Sequence, residues 1–438
     1  MPQSRDEAAD LDFWLRYIAS VHPREIELGL ERIRAVAKRM GLSKPARQVI
    51  VVAGSNGKGS CVCCLEAVLQ SCGYRTASYT SPHLHRFNER IRIEKNEVDD
   101  RQLCDAFAAV EGSRGEHSLS YFEFATLAAL WLFNRAALDV AILEVGLGGR
   151  LDAVNIIDAD VSIITNISLD HQDWLGSDLE SIGAEKAGVI RAGTPILYGD
   201  DSPLRNILQK ATRLGAPLYR IGVDCQSTLQ ADATCWTFSG RDANGQPVLA
   251  SDLPLPGIPL PNAVLALQAL ALLLPAWDVA AIRAALQGLT LAGRFELRTD
   301  RETGRNVVFD VAHNPAATGL LARKLHQYRT TIPGIGQIAA VIAVMADKDI
   351  EGMAQSLESC LDICYIAQVE EPRCMPADVA FSRLESCDGK LALQQLENAV
   401  DAYRAACRNA AAEDLVVITG SFYTVAATRQ LSKPSRAA

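Results

Sequence analysis

The chain has 438 residues, 49% of them hydrophobic and 22% charged, enough apolar material for sizeable cores and too much for a disordered tether. Lys and Arg number 43 against 52 Asp and Glu, a net charge of −9, which argues against nucleic-acid binding, because that affinity rests on basic charge. No run of about 18 apolar residues occurs and the start, MPQSRDEAADLDFW, lacks a signal-peptide core, so the expectation is a cytoplasmic protein with no membrane partner.

Residues 10–20 (DLDFWLRYIAS) and 29–41 (GLERIRAVAKRMG) space their apolar positions as helices do. QVIVVAG (48–54) is a short β-branched run stopped by glycine, the pattern of a buried strand, and a helix is expected over 58–72. That helix bears Cys61, Cys63, Cys64 and Cys72, which lack a downstream Cys/His pair and so lack a zinc spacing. They are expected as small apolar fillers, and all twelve cysteines as reduced thiols. RTASYTS (75–81) is the next expected strand, and strand–helix–strand order implies a parallel sheet. A helix apolar nearly all round follows at 122–137, then strands DVAILEV (139–145) and DVSIITNI (160–167).

Between 216 and 260 the chain turns polar, turn-rich and then proline-rich, as an antiparallel accessory hairpin region would. A helix at 262–275 comes next, and LTLAGRFELR (289–298) has the character of a crossing between domains. Strand runs at 306–311, 337–345, 364–369 and 414–420 then alternate with helical stretches. At ~150 residues per domain three would fit, but larger α/β domains make two the expectation, 1–290 and 291–438. The expected fold is α/β, a P-loop domain with a doubly wound parallel sheet and a small antiparallel accessory region (216–260), followed by a smaller Rossmann-like α/β domain.

Chemistry concentrates at strand exits. Gly54, Ser55, Asn56, Gly57, Lys58, Gly59 and Ser60 lie between a buried strand and a helix, where glycines let successive N–H groups face an anion and Lys58 supplies a mobile cation. A plain glycine turn accounts for Gly54 and Gly57 but not for the lysine. The usual phosphate loop has Ser or Thr directly after Lys to hold magnesium. Gly59 stands there instead, so metal ligands must be sought elsewhere. Glu144 ends its strand before the glycine-rich GLGGRLDAVN, with Asp152 and Asn155 as polar contacts. Leu169-Asp170-His171 and Thr80-Ser81-Pro82-His83 follow two further strands. Each alone also reads as a surface or core group, and a His ligand to magnesium would be a minority choice needing oxygen partners. In the C-terminal third, Asp310 suits a ribose hydroxyl, Pro315 a helix start, and Arg294 either a phosphate or an ion pair.

The ordered series AGSNGKGS (53–60), TSPHLHRFNERIRI (80–93), SYFEF (120–124), LEVGLGGRLDAVNI (143–156), LDHQDWLG (169–176), GAEKAGV (183–189), GRFE (293–296), FDVAHNP (309–315) and ITGSFYTV (418–425) resembles the folylpolyglutamate synthase/dihydrofolate synthase family of the Mur-type ATP-dependent amide ligases. The resemblance implies a Mur-ligase central-type ATPase domain, a C-terminal Rossmann-like domain and an active site in the cleft between them. It implies ligation of L-glutamate to dihydropteroate or a reduced folate through an acyl phosphate, with ATP and Mg2+ and with a monovalent cation left open. Phosphoryl transfer of that kind needs positioning and charge neutralisation rather than a nucleophilic Ser or Cys.

Position by position, the resemblance assigns the loop from Ser55 to Lys58 to the triphosphate, Ser81, Glu144 and His171 to magnesium, and Asn262 to the adenine end of ATP. Arg294 and Asp310 are assigned to ATP, with His313 nearby, and Lys58, His171 and Lys186 are the implied catalytic set. Lys186 matches the lysine that relatives bear in carbamylated form, although an ordinary helix lysine in an ion pair reads the same way. Glu27, Leu28, Gly29 and Leu30, with Ser120, Tyr121, Phe122 and Glu123, and with Leu151, Asp152 and Ala153, match the segments that bind dihydropteroate in bifunctional members. Phe122 offers a stacking face there, as a core phenylalanine also would. Ser55 and Cys61 stand where Thr is common, and Cys61 receives no role. The expected protein is a bifunctional ligase acting as a monomer. The rivals are an enzyme confined to polyglutamate extension, a kinase releasing ADP without glutamate, and a nucleotide switch without turnover.

Overall fold

The computed structural model describes residues 10–24, 27–200, 202–231, 234–332, 334–387 and 391–435. The first residues of the stretch read for an export signal, 1–9, lie outside these, as do 232–233 within the accessory region. Contacts divide the chain into two compact units, Met1–Leu289 and Thr290–Ala438.

The first unit is built on eight strands, β1 (Gln48–Ala53), β2 (Thr76–Tyr79), β3 (Ile91–Ile93), β4 (Asn96–Glu97), β5 (Val140–Glu144), β6 (Val161–Ile164), β7 (Ile196–Tyr198) and β8 (Leu218–Arg220). They form one sheet in the order β4-β3-β2-β5-β1-β6-β7-β8. Neighbouring strands pair parallel except at one edge, where β3 runs antiparallel to β2 and β4 antiparallel to β3. β1 is buried along its length because helices cover both faces, and so its sequence is a near-continuous apolar run. Val49, Val51 and Ala53 join a core with Trp14, Phe107, Phe124 and Leu127. The helix Tyr121–Arg135 lies in that core with most residues buried, and it starts where Ser120 and Glu123 cap each other reciprocally.

Two expectations change. Leu218–Arg220 was expected in the accessory region but extends the main sheet, because Gly215 in the left-handed conformation ends the preceding helix and returns the chain parallel to β7. The accessory element is a separate three-stranded antiparallel sheet, β9 (Gln226–Leu229), β10 (Cys235–Arg241) and β11 (Pro247–Pro254), ordered β11-β10-β9. It is anchored where buried Gln268 of the helix Leu260–Leu273 pairs with both backbone groups of Arg241, at 3.0 and 2.7 Å.

The second unit holds β12 (Glu296–Asp300), β13 (Asn306–Phe309), β14 (Ile338–Ile342), β15 (Ile363–Ile366), β16 (Ala392–Gln395), β17 (Leu415–Thr419) and β18 (Ser432–Pro434), ordered β16-β15-β14-β17-β13-β12-β18. The five from β16 to β13 are parallel, and β12 and β18 pair antiparallel at the far edge. Part of the stretch expected as a crossing is thus a strand of this unit. Alternate residues of β13 serve opposite faces, Val308 packing with Leu321, Leu325 and Met353 while Phe309 stacks on Tyr403 at 6.3 Å. The sheet is therefore covered on both sides, the doubly wound arrangement.

Candidate active site

β1 sits between β5 and β6, so the carboxyl ends of these three strands open one crevice, the place where open α/β sheets bind ligands. The loop after β1 turns on Gly54 (φ +145) and Gly57 (φ +85), and the helix Lys58–Ser71 begins immediately. Gly57 caps that helix without a side chain, so nothing local competes for the first-turn N–H groups, which have no intrahelical acceptor. A Cβ at Gly54 would lie 1.9 Å from Thr165 Oγ1, and one at Gly57 within 2.9 Å of the Asn262 amide, so both glycines are required by close neighbours as well as by φ.

The loop is held from β6. Asn166 accepts from Ser55 N–H at 2.9 Å through its carbonyl and from Asn56 N–H at 2.8 Å through Oδ1. Thr165 Oγ1 donates to Asn56 O at 2.6 Å, and Ser168 N–H donates to Ser55 Oγ at 3.0 Å. Thr165, Asn166 and Ser168 were not singled out in the sequence, where polar residues after a strand look like any loop. Lys58 Nζ donates back to Gly54 O and Ser55 O at 3.0 and 3.2 Å, poised over the turn. Asn262, assigned above to the adenine end, lies against Gly57.

Glu144, paired in register with Val52, is buried and accepts from Ser81 N–H at 3.4 Å, so two of the three expected metal ligands meet. His171 stands in the left-handed conformation (φ +51) after Asp170, its Nε2 3.9 Å from Asp170 Oδ1. Among the described residues no three His, Cys, Asp or Glu side chains could hold a metal ion by themselves. The Ser81 hydroxyl and the Glu144 carboxylate are oxygen donors of the kind magnesium takes alongside waters and phosphate oxygens, while the imidazole would be a minority ligand that depends on them. In the first turn of the helix, buried Ser60 Oγ has no hydrogen-bond partner, an orphan that a phosphate or an ion-bound water would satisfy.

Lys186, closing the helix Leu179–Lys186, is buried. Desolvation first, and then the Lys58 charge, push its ammonium down to about 7, while Asp170 and Asp152 oppose the shift. Asp152 is pushed up to about 6 by burial, against the N–H groups of Leu147 and Val154 and the Lys58 charge. Cys61 is buried and its thiol raised, first by burial and then by Glu144, which makes it inert. All twelve cysteines are free thiols.

The three segments matched to pterin binding come together. Gly29 N–H donates to Leu151 O at 3.4 Å, and Arg32, which was not singled out, reaches both Glu27 and Glu123. Leu30 and Ala153 are buried, and Tyr121 packs on Phe87 at 6.0 Å. Phe122 is half-buried, 5.8 Å from the Tyr79 ring, and its ring leaves no room for a Cβ at Gly146, the second residue after Glu144.

His83, from the third strand exit, accepts from Arg90 Nε at 2.8 Å through Nδ1. Burial, then the Arg90 charge, lower it to about 4. The unfolded chain takes this proton below pH ~6.5 and the folded chain only near 4, so stability from this group is present above ~6.5 and lost as pH falls toward 4. His83→Gln keeps an acceptor for Arg90 without titrating. Its urea midpoint is expected to fall less than the wild-type midpoint between pH 7 and 4.5, and equal slopes would contradict the account.

In the second unit Asp310 accepts from Phe295 N–H at 2.8 Å and Ala312 N–H at 3.0 Å, and desolvation raises its carboxyl against the Arg294 and Lys324 charges. Arg294 stands 5.1 Å from the Phe422 ring centre, and the His313 ring centre lies 6.4 Å from that same ring. Lys324, 5.4 Å from the Phe295 ring, and buried Lys348, 3.1 Å from Asp347, were not singled out. A cavity of about 630 Å³ lined by Glu351, Phe381, Leu384 and Leu393 contains none of these residues.

Residues 52–267 match the family model described as Mur ligase middle domain, and residues 293–422 the one described as Mur ligase, glutamate ligase domain. The chain is similar to the dihydrofolate synthase/folylpolyglutamate synthase of Escherichia coli (strain K12), 43% identical over 419 residues, 96% of this chain and 94% of that one. Among solved structures it is similar to E. coli FolC in complex with DHPP and ADP, with a TM-score of 0.89 and 42% identity over 98% of this chain and 99% of that one. It is also similar to the Yersinia pestis bifunctional folylpolyglutamate synthase/dihydrofolate synthase complexed with AMPPNP and Mn ion, with a TM-score of 0.86 and 42% identity over 98% of each chain. No described helix is long and apolar enough to cross a membrane.

Proposed function

This chain belongs to the dihydrofolate synthase/folylpolyglutamate synthase family of Mur ligases, and from that premise we propose how its residues perform the reaction. The reaction is ATP-dependent ligation of L-glutamate to dihydropteroate, giving dihydrofolate, and to reduced folates, giving folylpolyglutamates. The acceptor carboxylate takes the γ-phosphoryl group and ADP leaves. The glutamate amine then attacks the acyl carbon, losing a proton, and phosphate departs.

The loop from Gly54 to Ser60 holds the triphosphate, with the helix N-terminus and Lys58 neutralising charge that builds on the transferred group. Ser81, Glu144 and His171 hold Mg2+, which when bound supplies further charge neutralisation at the phosphates. Asn262, Arg294, Asp310 and His313 bind the rest of the nucleotide. Lys186 has a neutral fraction near pH 7; its ammonium first loses a proton, and the neutral amine then adds CO2 to give a carbamate and a second proton, so that an anion stands where the buried cation did. Residues 27–30, 120–123 and 151–153 seat the acceptor, with Phe122 against its ring. One chain working alone in the cytoplasm belongs to the same reading.

What supports the reading best is geometry at neighbouring strand exits: Phe122 packs against Gly146 just past β5, residues 151–153 follow on that same exit, and β5 pairs with β1, whose exit carries the turn with Lys58. Steady-state ADP release should require L-glutamate and should proceed with dihydropteroate and with a reduced folate. Turnover with the folate alone would leave an enzyme confined to chain extension, and glutamate-independent ADP release would point to a kinase.

A further inference from the structure

Arg32 stands in the first turn of the helix Glu31–Arg39, between two carboxylates that lie far apart in sequence. One guanidinium nitrogen bonds Glu27 Oε1, and the other donates to Glu27 O at 3.2 Å and to the two Glu123 oxygens at 3.3 and 3.4 Å. Its Nε is buried and has no partner, so the plane of the group is wedged among protein atoms. Buried His22 approaches the other Glu27 oxygen at 3.3 Å. We propose that Arg32 is the positioning residue of the acceptor site, clamping residues 27–30 onto the cap of the helix that presents Phe122. The proposal rests on the acceptor assignment above.

Glu123 is buried and spends its carboxylate on Ser120 N–H, at 2.8 Å, and on Arg32. The Ser120–Glu123 cap fixes where Tyr121 and Phe122 leave the loop. At the other end Glu27 begins the segment whose Gly29 bonds Leu151. Without the guanidinium Glu27 keeps only His22 and Arg24, at 3.3 and 3.8 Å, Glu123 keeps Ser120 N–H, and the charged bridge between the segment and the helix is lost. A lysine keeps the charge but cannot fork to two partners.

The test is steady-state kinetics with dihydropteroate, ATP and L-glutamate varied in turn, with a thermal melt of each variant. Arg32→Gln should raise KM for dihydropteroate about tenfold or more, since small misplacements of reacting groups are costly, while KM for ATP and L-glutamate stay within about twofold. Arg32→Lys should fall between. A folded Arg32→Gln with an unchanged dihydropteroate KM, or with all three constants raised together, would overturn the proposal. If Arg32→Gln does not fold, an unchanged dihydropteroate KM in Arg32→Lys overturns it instead. Wild-type protein that turns over neither acceptor would remove the acceptor assignment itself, a failure separate from that of the clamp.

Discussion

Lys58→Ala is expected to lower kcat for glutamate-dependent ADP release by about 10³-fold, the loss seen when one preorganised donor is taken from developing charge, and to leave the melting temperature nearly unchanged. The structural reason for the second half is that Lys58 is only half-buried and bonds two carbonyls of its own loop, Gly54 and Ser55. The loop keeps its shape from Thr165, Asn166 and Ser168 instead. Lys58→Arg should not restore the rate, because a planar fork does not fit where an ammonium sits between two carbonyls. A folded alanine variant with near-normal kcat would remove Lys58 from the transfer step.

Lys186→Ala is expected to cost about 10²-fold in kcat. If the working form is a carbamate, formate or acetate should restore part of the rate by entering the space the side chain leaves. The sign of the pH dependence follows from the lowered pKa, about 7. Above it the amine is neutral and able to take CO2, and below it the ammonium blocks the addition. Activity in buffers stripped of CO2 should therefore decline, and decline faster below pH 7. Lys58 is one of the charges that keep Lys186 deprotonated, so Lys58→Ala should shift this profile upward in pH. Full activity without CO2, together with no rescue of Lys186→Ala, would contradict the assignment.

Parallel strands buried on both faces, such as Gln48–Ala53 and Leu415–Thr419, were legible because they read as apolar, mostly β-branched runs, whereas the short Ile196–Tyr198 and the largely exposed Ala392–Gln395 were not singled out. Leu218–Arg220 was not legible either, since three half-buried residues at a sheet edge have no pattern of their own. The turn after β1 was legible because glycines and a lysine between a strand and a helix announce it locally, and Gly54 and Gly57 do take positive φ there. Its supports were hidden because Asn166 and Thr165 act from more than a hundred residues away. Arg32 was hidden for the same reason, since nothing near it in sequence announces Glu123. His83 shows the opposite case, a residue well placed in sequence whose ring is spent on Arg90.

The grip of Thr165, Asn166 and Ser168 on the turn after β1 has a thermodynamic consequence. A turn held by its own hydrogen bonds asks little further ordering of the backbone when a ligand binds, so most of the contact energy appears as affinity instead of being consumed in freezing a floppy segment. Loosening Asn166 should then show up chiefly as a larger unfavourable entropy of ATP binding in calorimetry, with the enthalpy little changed.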